Sequence, residues 1–227
     1  MSRLSQWTAT LGLTGALLSF PLSTTPVLAQ TVQQAPAASA EDLAPKVAEI
    51  RKRLAGLSRY SVFDWITFGF KGNANSLVLN GFASRPVVKD DAGGAVKNVQ
   101  GITSVDNQIK VLPLSPNDDR IRVAVYNRLY TQPALRKYNA NQGTIGQALG
   151  PGNRSPAAFA GGITNNPPLG FHAIHIIVNN GKVTLYGVVL NKSDSDIAYM
   201  QANSAPGAFG IENDLMIEGQ APQQKEK

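Results

Sequence analysis

Displaced by 106 residues, the sequence aligns with itself: Leu77 to Val111 falls on Val183 to Ile217 without a gap. Leu79 meets Leu185, Gly81 meets Gly187, Ala92 meets Ala198, Gly101 meets Gly207 and Asn107 meets Asn213. Apolar periodicity runs in the same register, because Val105, Ile109 and Val111 fall on Ile211, Leu215 and Ile217, an alternating set suited to one face of a strand. A chain built this way folds as two copies of one small unit.

The order of elements in the unit follows from local patterns. Leu43, Val47, Ile50, Leu54 and Leu57 recur at helical steps, with Glu41 and Asp42 near the positive end of that helix. Ile66, Phe68 and Phe70 mark one face of a strand; Gly72 to Asn75 supply a turn, and Leu77, Leu79, Gly81 and Ala83 form the partner strand of a hairpin. Val87, Ala92, Ala95, Val96 and Val99 give a second helix, expected short or frayed because Gly93 and Gly94 each cost roughly 1 kcal/mol against alanine. In the second copy Ile121, Val125 and Leu129 stand where Val47, Ile50 and Leu54 stood, and Ile174 and Ile176 align with Phe68 and Phe70. Asn191 or Ser193 can cap its second helix, which ends before Pro206 and Gly207. The fold class expected is α+β, with two αββαβ modules, each a small mixed sheet packed against two helices.

Ahead of the repeat lies a secretory pattern: Arg3, an apolar run from Leu11 to Leu22, and Val27-Leu28-Ala29 before Gln30. Residues 1–29 are therefore expected to be a cleaved signal peptide, and the mature chain periplasmic. Residues 30–39, rich in Gln, Ala, Ser and Thr, read as a flexible spacer. The first module is expected over 40–114, the second over 115–219, and a disordered tail over 220–227. Residues 139–170, rich in Gly, Pro, Asn and Ala, interrupt the second module as a mobile loop or a docked excursion.

The segments Leu79-Asn80-Gly81 and Leu185-Tyr186-Gly187, each a glycine on the second strand after a short hairpin, resemble the hallmark of the BON domain. So do the closing strands Gly101 to Val111 and Gly207 to Ile217. The resemblance covers most of residues 41 to 219, and the tandem arrangement after a leader is similar to the dual-BON periplasmic proteins linked to envelope stress. It implies a non-enzymatic envelope protein that attaches to phospholipid, with Gly81, Gly187, Gly101 and Gly207 as structural glycines. The long 139–170 segment departs from the family.

Chemistry is thin. The chain has no cysteine and two histidines, so disulfides, thiolate chemistry and most metal sites lack raw material. His172 and His175, three apart in a strand, face opposite ways and cannot share a metal. Asp118 and Asp119 suit a helix N-terminus better than a catalytic pair. Neither a phosphate loop nor a G-x-S-x-G elbow occurs. No enzyme activity, cofactor or metal is expected.

Without Arg3, 20 basic residues stand against 15 acidic ones, a modest bias toward anionic partners. On the first helix of the second copy Arg122, Tyr126 and Tyr130 form a stripe beside the core positions, with Arg120, Arg128, Arg136 and Lys137 further round. Tyrosine and arginine suit a lipid headgroup region, so Arg122, Tyr126, Tyr130, Arg136 and Lys137 are the candidate lipid-binding residues. Tyrosines packed against the other repeat with solvated arginines would present the same pattern. Phe63 and Trp65 are open to two placements, under the first helix or at the contact between repeats. The partner expected is anionic phospholipid, reached by peripheral rather than spanning contact, or else an envelope protein; nucleic acid is not expected.

Overall fold

The computed structural model describes residues 40–139, 162–170 and 172–220. The expected signal peptide and spacer, most of the expected insertion and the expected tail after Gln220 lie outside them. The first repeat runs α1 (Ala40–Ala55), β1 (Trp65–Phe70), β2 (Ser76–Ala83), α2 (Pro86–Lys97), β3 (Ser104–Asn107) and β4 (Lys110–Val111). The second runs α3 (Pro116–Tyr130), a 3₁₀ helix (Pro133–Tyr138), β5 (Ile174–Asn179), β6 (Lys182–Val189), α4 (Lys192–Asn203) and β7 (Gly210–Ile217). In each, an antiparallel hairpin is joined by a parallel closing strand, in the orders β1-β2-β3 and β5-β6-β7, with β4 also on β2. The α+β class and the two αββαβ units are thus as expected. Among the described residues no helix is long and apolar enough to cross a membrane.

Strand register corrects the alignment of the two hairpins. Gly81 pairs with Ile66 and Gly187 with Ile174, so Ile66 and Phe68 correspond to Ile174 and Ile176, two positions away from the expected match. The first hairpin turns through residues 71–75, whereas the second needs only Asn180 and Gly181 between its strands. Both residues of that short turn have positive φ, 50° and 79°, the geometry of a two-residue hairpin that follows the twist of its strands.

Helix α2 is also a correction, since it continues unbroken through Gly93 and Gly94. A Cβ on Gly93 would stand 2.9 Å from Nδ2 of Asn107, so the missing side chain lets the helix lie close to the closing strand. The repeated asparagines explain their identity in the same place. Asn107 Nδ2 donates to the carbonyl of Lys89 at 2.8 Å, and Asn213 Nδ2 donates to Ser195 Oγ at 2.9 Å. Each ties the first turn of its module's second helix to the closing strand.

Two cores result. One is built from Ile50, Leu54, Leu77, Leu79, Val88, Ala92 and Val96 of the first repeat. The other gathers Ile121, Val125, Leu129, Ile174, Ile176 and Leu185 of the second, and it also takes in Val62 and Phe63 from the first. The described residues of both repeats fall within one compact unit.

Candidate functional site

Arg122, Tyr126 and Tyr130 are not on the surface. All three are fully buried, which removes them as a headgroup-facing stripe in this fold. The apolar face of α3 is wider than the Ile121, Val125 and Leu129 stripe suggested. Tyr130 donates its hydroxyl proton to the carbonyl of Ile174 at 2.6 Å, and burial holds its pKa well above the usual value. Tyr126 accepts from Asn139 Nδ2 at 2.8 Å and faces His172 Nε2 at 3.4 Å. His172 Nδ1 meets the carbonyl of Gly170 at 2.9 Å; since a carbonyl only accepts, the proton sits on Nδ1 and Nε2 takes the one from Tyr126.

Arg122 is a fully buried charge of the second repeat. It pairs with Asp119 at 2.8 Å and donates to Thr164 Oγ1 at 3.0 Å and to the carbonyl of Val178 at 2.8 Å. Thr164 in turn bonds Asp119. These bonds dock residues 162–165, part of the described portion of the insertion, onto α3, with Ile163 buried in the core. The two ends of the insertion meet where Ala173 N–H donates to the carbonyl of Tyr138 at 2.9 Å and Asn139 bridges His172. A long excursion can leave and re-enter the fold at one point this way. Asp118 and Asp119 lie in the first turn of α3, which Ser115 caps. Asp118 also accepts from the backbone N–H groups of Asn180 and Gly181 at 2.9 and 2.8 Å, holding the hairpin tip.

Arg136 and Lys137, by contrast, are exposed on the 3₁₀ helix, as are Arg120 and Arg128 on α3. Lys137 pairs with Asp194 at 2.8 Å; Arg120, Arg128 and Arg136 have no ion pair among the described residues. Burial alone would raise the Asp194 carboxyl, but bonds from Lys137 and Tyr138 outweigh it and hold its pKa below the usual 3.8. Tyr138 donates to Asp194 at 2.6 Å and accepts from Leu190 N–H at 2.8 Å, fixing the 3₁₀ helix to the end of β6.

Beside this corner opens a cleft of about 480 Å³. Its apolar wall is Ala173, Gly187, Val188, Val189 and Leu190, and Trp65 of the first repeat faces them, with Lys137 and Glu218 among the lining groups. Val188 and Leu190 stay 43% and 54% exposed. Trp65 reaches the cleft because the outer faces of the two sheets meet. Its ring stacks on Tyr186 at 5.6 Å with an interplanar angle of 6°, Phe82 lies 6.2 Å from Tyr186, and His175 packs between Trp65 and Tyr60. Ile176 N–H donates to the carbonyl of Val62 at 2.8 Å, so the connector before β1 covers the edge of β5.

Phe63 and Trp65 therefore sit at the contact between repeats, one of their two expected placements. His175 and His172 do point apart, His175 toward Trp65 and Tyr60 and His172 toward Tyr126 and Tyr130. Burial lowers both to pKa values of about 4, so they are neutral at pH 7. Lys137 was among the expected residues, but the other cleft residues were not assembled into a site because they come from separate segments. One signal was present: Val188 is an apolar residue on the otherwise polar phase of β6.

Gly81 and Gly187 occupy equivalent bends in the middle strands, at φ 117° and 133°, and a Cβ there would stand 1.9 Å from the carbonyl oxygen of Trp65 or of Ala173. Gly101 and Gly207, also at positive φ, lie in the turns before the closing strands. These four mark the two copies and line up with the outcome of comparison with known proteins. No curated protein matches the chain. Solved structures similar to it include two of CdsD, a structural protein of the type III secretion system of Chlamydia trachomatis. The one titled as its C-terminal domain is 14% identical, with 75% of this chain and 96% of that chain covered and a TM-score of 0.25. The other is also 14% identical, with 75% and 91% covered and a TM-score of 0.23. The BON domain family matches twice, over residues 73–113 and 161–219. One match falls in each αββαβ unit, and the chain is a tandem BON-domain protein.

Proposed function

We propose that this protein attaches peripherally to anionic phospholipid in the cell envelope, from the periplasmic side, and carries out no catalysis. The coarse part, an envelope protein of a non-catalytic family, follows from the BON matches. Attachment to lipid is supported by one juxtaposition. Exposed Val188 and Leu190 lie at the cleft, while the exposed Arg136, Arg128 and Arg120, which have no ion pair among the described residues, carry positive charge on the 3₁₀ helix and α3. Apolar groups at the acyl boundary and guanidinium groups at phosphate are what an interfacial contact requires. Each cation near an anionic surface contributes about 1 kcal/mol at low ionic strength, and the contribution shrinks with salt. Cosedimentation with vesicles tests the reading: the protein is expected to pellet with anionic vesicles at low salt, to be released as salt rises, and to ignore zwitterionic ones. A protein left in the supernatant at low salt contradicts it.

A second reading, attachment to an envelope protein, is favoured by Phe209. Its ring is 84% exposed just before β7, the edge strand of its sheet, and an exposed edge offers a template for pairing. Retention of an envelope protein that is lost in Phe209→Ser, with no vesicle binding, would favour this reading over the first.

A further inference from the structure

The cleft has properties that contact with a flat surface does not use. Along its length the wall is apolar, from Ala173 through Val188 to Leu190, with the Trp65 ring opposite. The two histidines in it are uncharged at pH 7. Its charges are already compensated: Lys137 is held by Asp194 at 2.8 Å, and Glu218 brings a further negative group. A rim in that state gives little preference to an anionic head over a zwitterionic one, so selection falls to the apolar part of a ligand. A volume of about 480 Å³ lies inside the range of about 300–1,000 Å³ common to small-molecule sites.

We propose that this cleft binds one aliphatic chain of an amphiphile, seated between Trp65 and the Ala173–Val188–Leu190 wall, with the headgroup left in water beside Lys137 and Glu218. The inference deepens the attachment reading, since an acyl chain of a bilayer lipid is one such chain. It also assigns a role to the first domain. Trp65 completes a site whose other walls belong to the second, so the packing of the two domains makes the site.

The sequence supplies its own reporter. Trp7 and Trp65 are the two tryptophans, so in the full chain carrying Trp7→Phe all tryptophan emission comes from the cleft wall. The probe is a terminally brominated undecanoate, added below its micelle concentration, because bromine quenches indole only near contact. Saturable quenching is expected, reversed alike by unlabelled dodecanoate and by a single-chain phosphocholine. Val188→Asp and Leu190→Asp place a carboxylate in the wall at positions exposed enough to keep the fold, and each is expected to weaken binding by about tenfold or more. Quenching that never saturates, or that is unchanged in both folded variants, overturns the site; if one variant misfolds, the other decides. Strong preference for one headgroup overturns the selection by chain. Vesicle cosedimentation of the same proteins separates the two proposals: vesicle binding without amphiphile binding removes the chain site alone, and the reverse removes surface attachment alone.

Discussion

Arg122 carries the largest single consequence of burial. Three hydrogen-bonding partners surround its guanidinium, and removing it takes the charge partner from Asp119, which among the described residues keeps only its bond from Thr164, and the side-chain donor from the Val178 carbonyl. Breaking a buried pair from one side costs about 3–5 kcal/mol, so Arg122→Ala is expected to lose about 3 kcal/mol in urea unfolding and to release the Thr164 segment. The strand glycines are nearly as strict. At φ 117° and 133°, with a backbone oxygen where a Cβ would go, Gly81→Ala and Gly187→Ala should each destabilise by about 2 kcal/mol or more, again by urea unfolding. Those glycines were legible from the repeat because their need is local to the strand. Arg122 was not. A helical wheel orders side chains by angle but does not say how wide the buried sector is, and here residues 162–165 cover a sector that spacing alone left open to solvent.

At the scale of elements, the pH response belongs to β5 and the residues that lead into it. His172 and His175 are neutral in the folded protein because burial lowers each from 6.5 to about 4, with the nearby His172 adding to the effect on His175. Between those values the unfolded chain binds protons that the folded chain does not. Stability is therefore whole above pH 6.5 and falls as pH drops toward 4, by up to about 1.4 kcal/mol per pH unit for each histidine. Asp194, held below 3.8, adds its own loss only at still lower pH. Urea midpoints at about pH 7.5 and about pH 5 should show the decline, and His175→Phe should flatten it. A pH-independent midpoint contradicts the buried neutral pair. The helices and strands were readable from their periods, including α4 and its Asn191 cap. Continuity of α2 through two glycines was not, because the reason lies across space in Asn107.

For the whole molecule, the two domains are joined more deeply than a linker would join them. Val62 and Phe63 of the first domain belong to the core of the second, and the Trp65, Phe82, Tyr186 and His175 rings fill the space between the sheets. Phe63→Ala should cost about 3–5 kcal/mol, and the loss should appear in the unfolding of the second domain, read by hydrogen exchange at β5 and β6. Exchange rising only around α1 and β1 would contradict that coupling. Repeat logic divides the sequence into two self-contained units, so it could not reveal a segment of one unit completing the core of the other. It also could not assemble the cleft, whose walls are far apart in sequence.

In the proposed attachment the exposed corner of the second domain, and not the buried tyrosine stripe, meets the membrane. The most direct measurement is cosedimentation with anionic vesicles at low salt of Arg128→Glu/Arg136→Glu, compared with the parent and with Tyr130→Phe, which keeps its buried ring. Reversing the two exposed charges is expected to abolish or greatly weaken pelleting in a folded protein, while Tyr130→Phe pellets like the parent. Parental binding by the charge-reversed protein would contradict it.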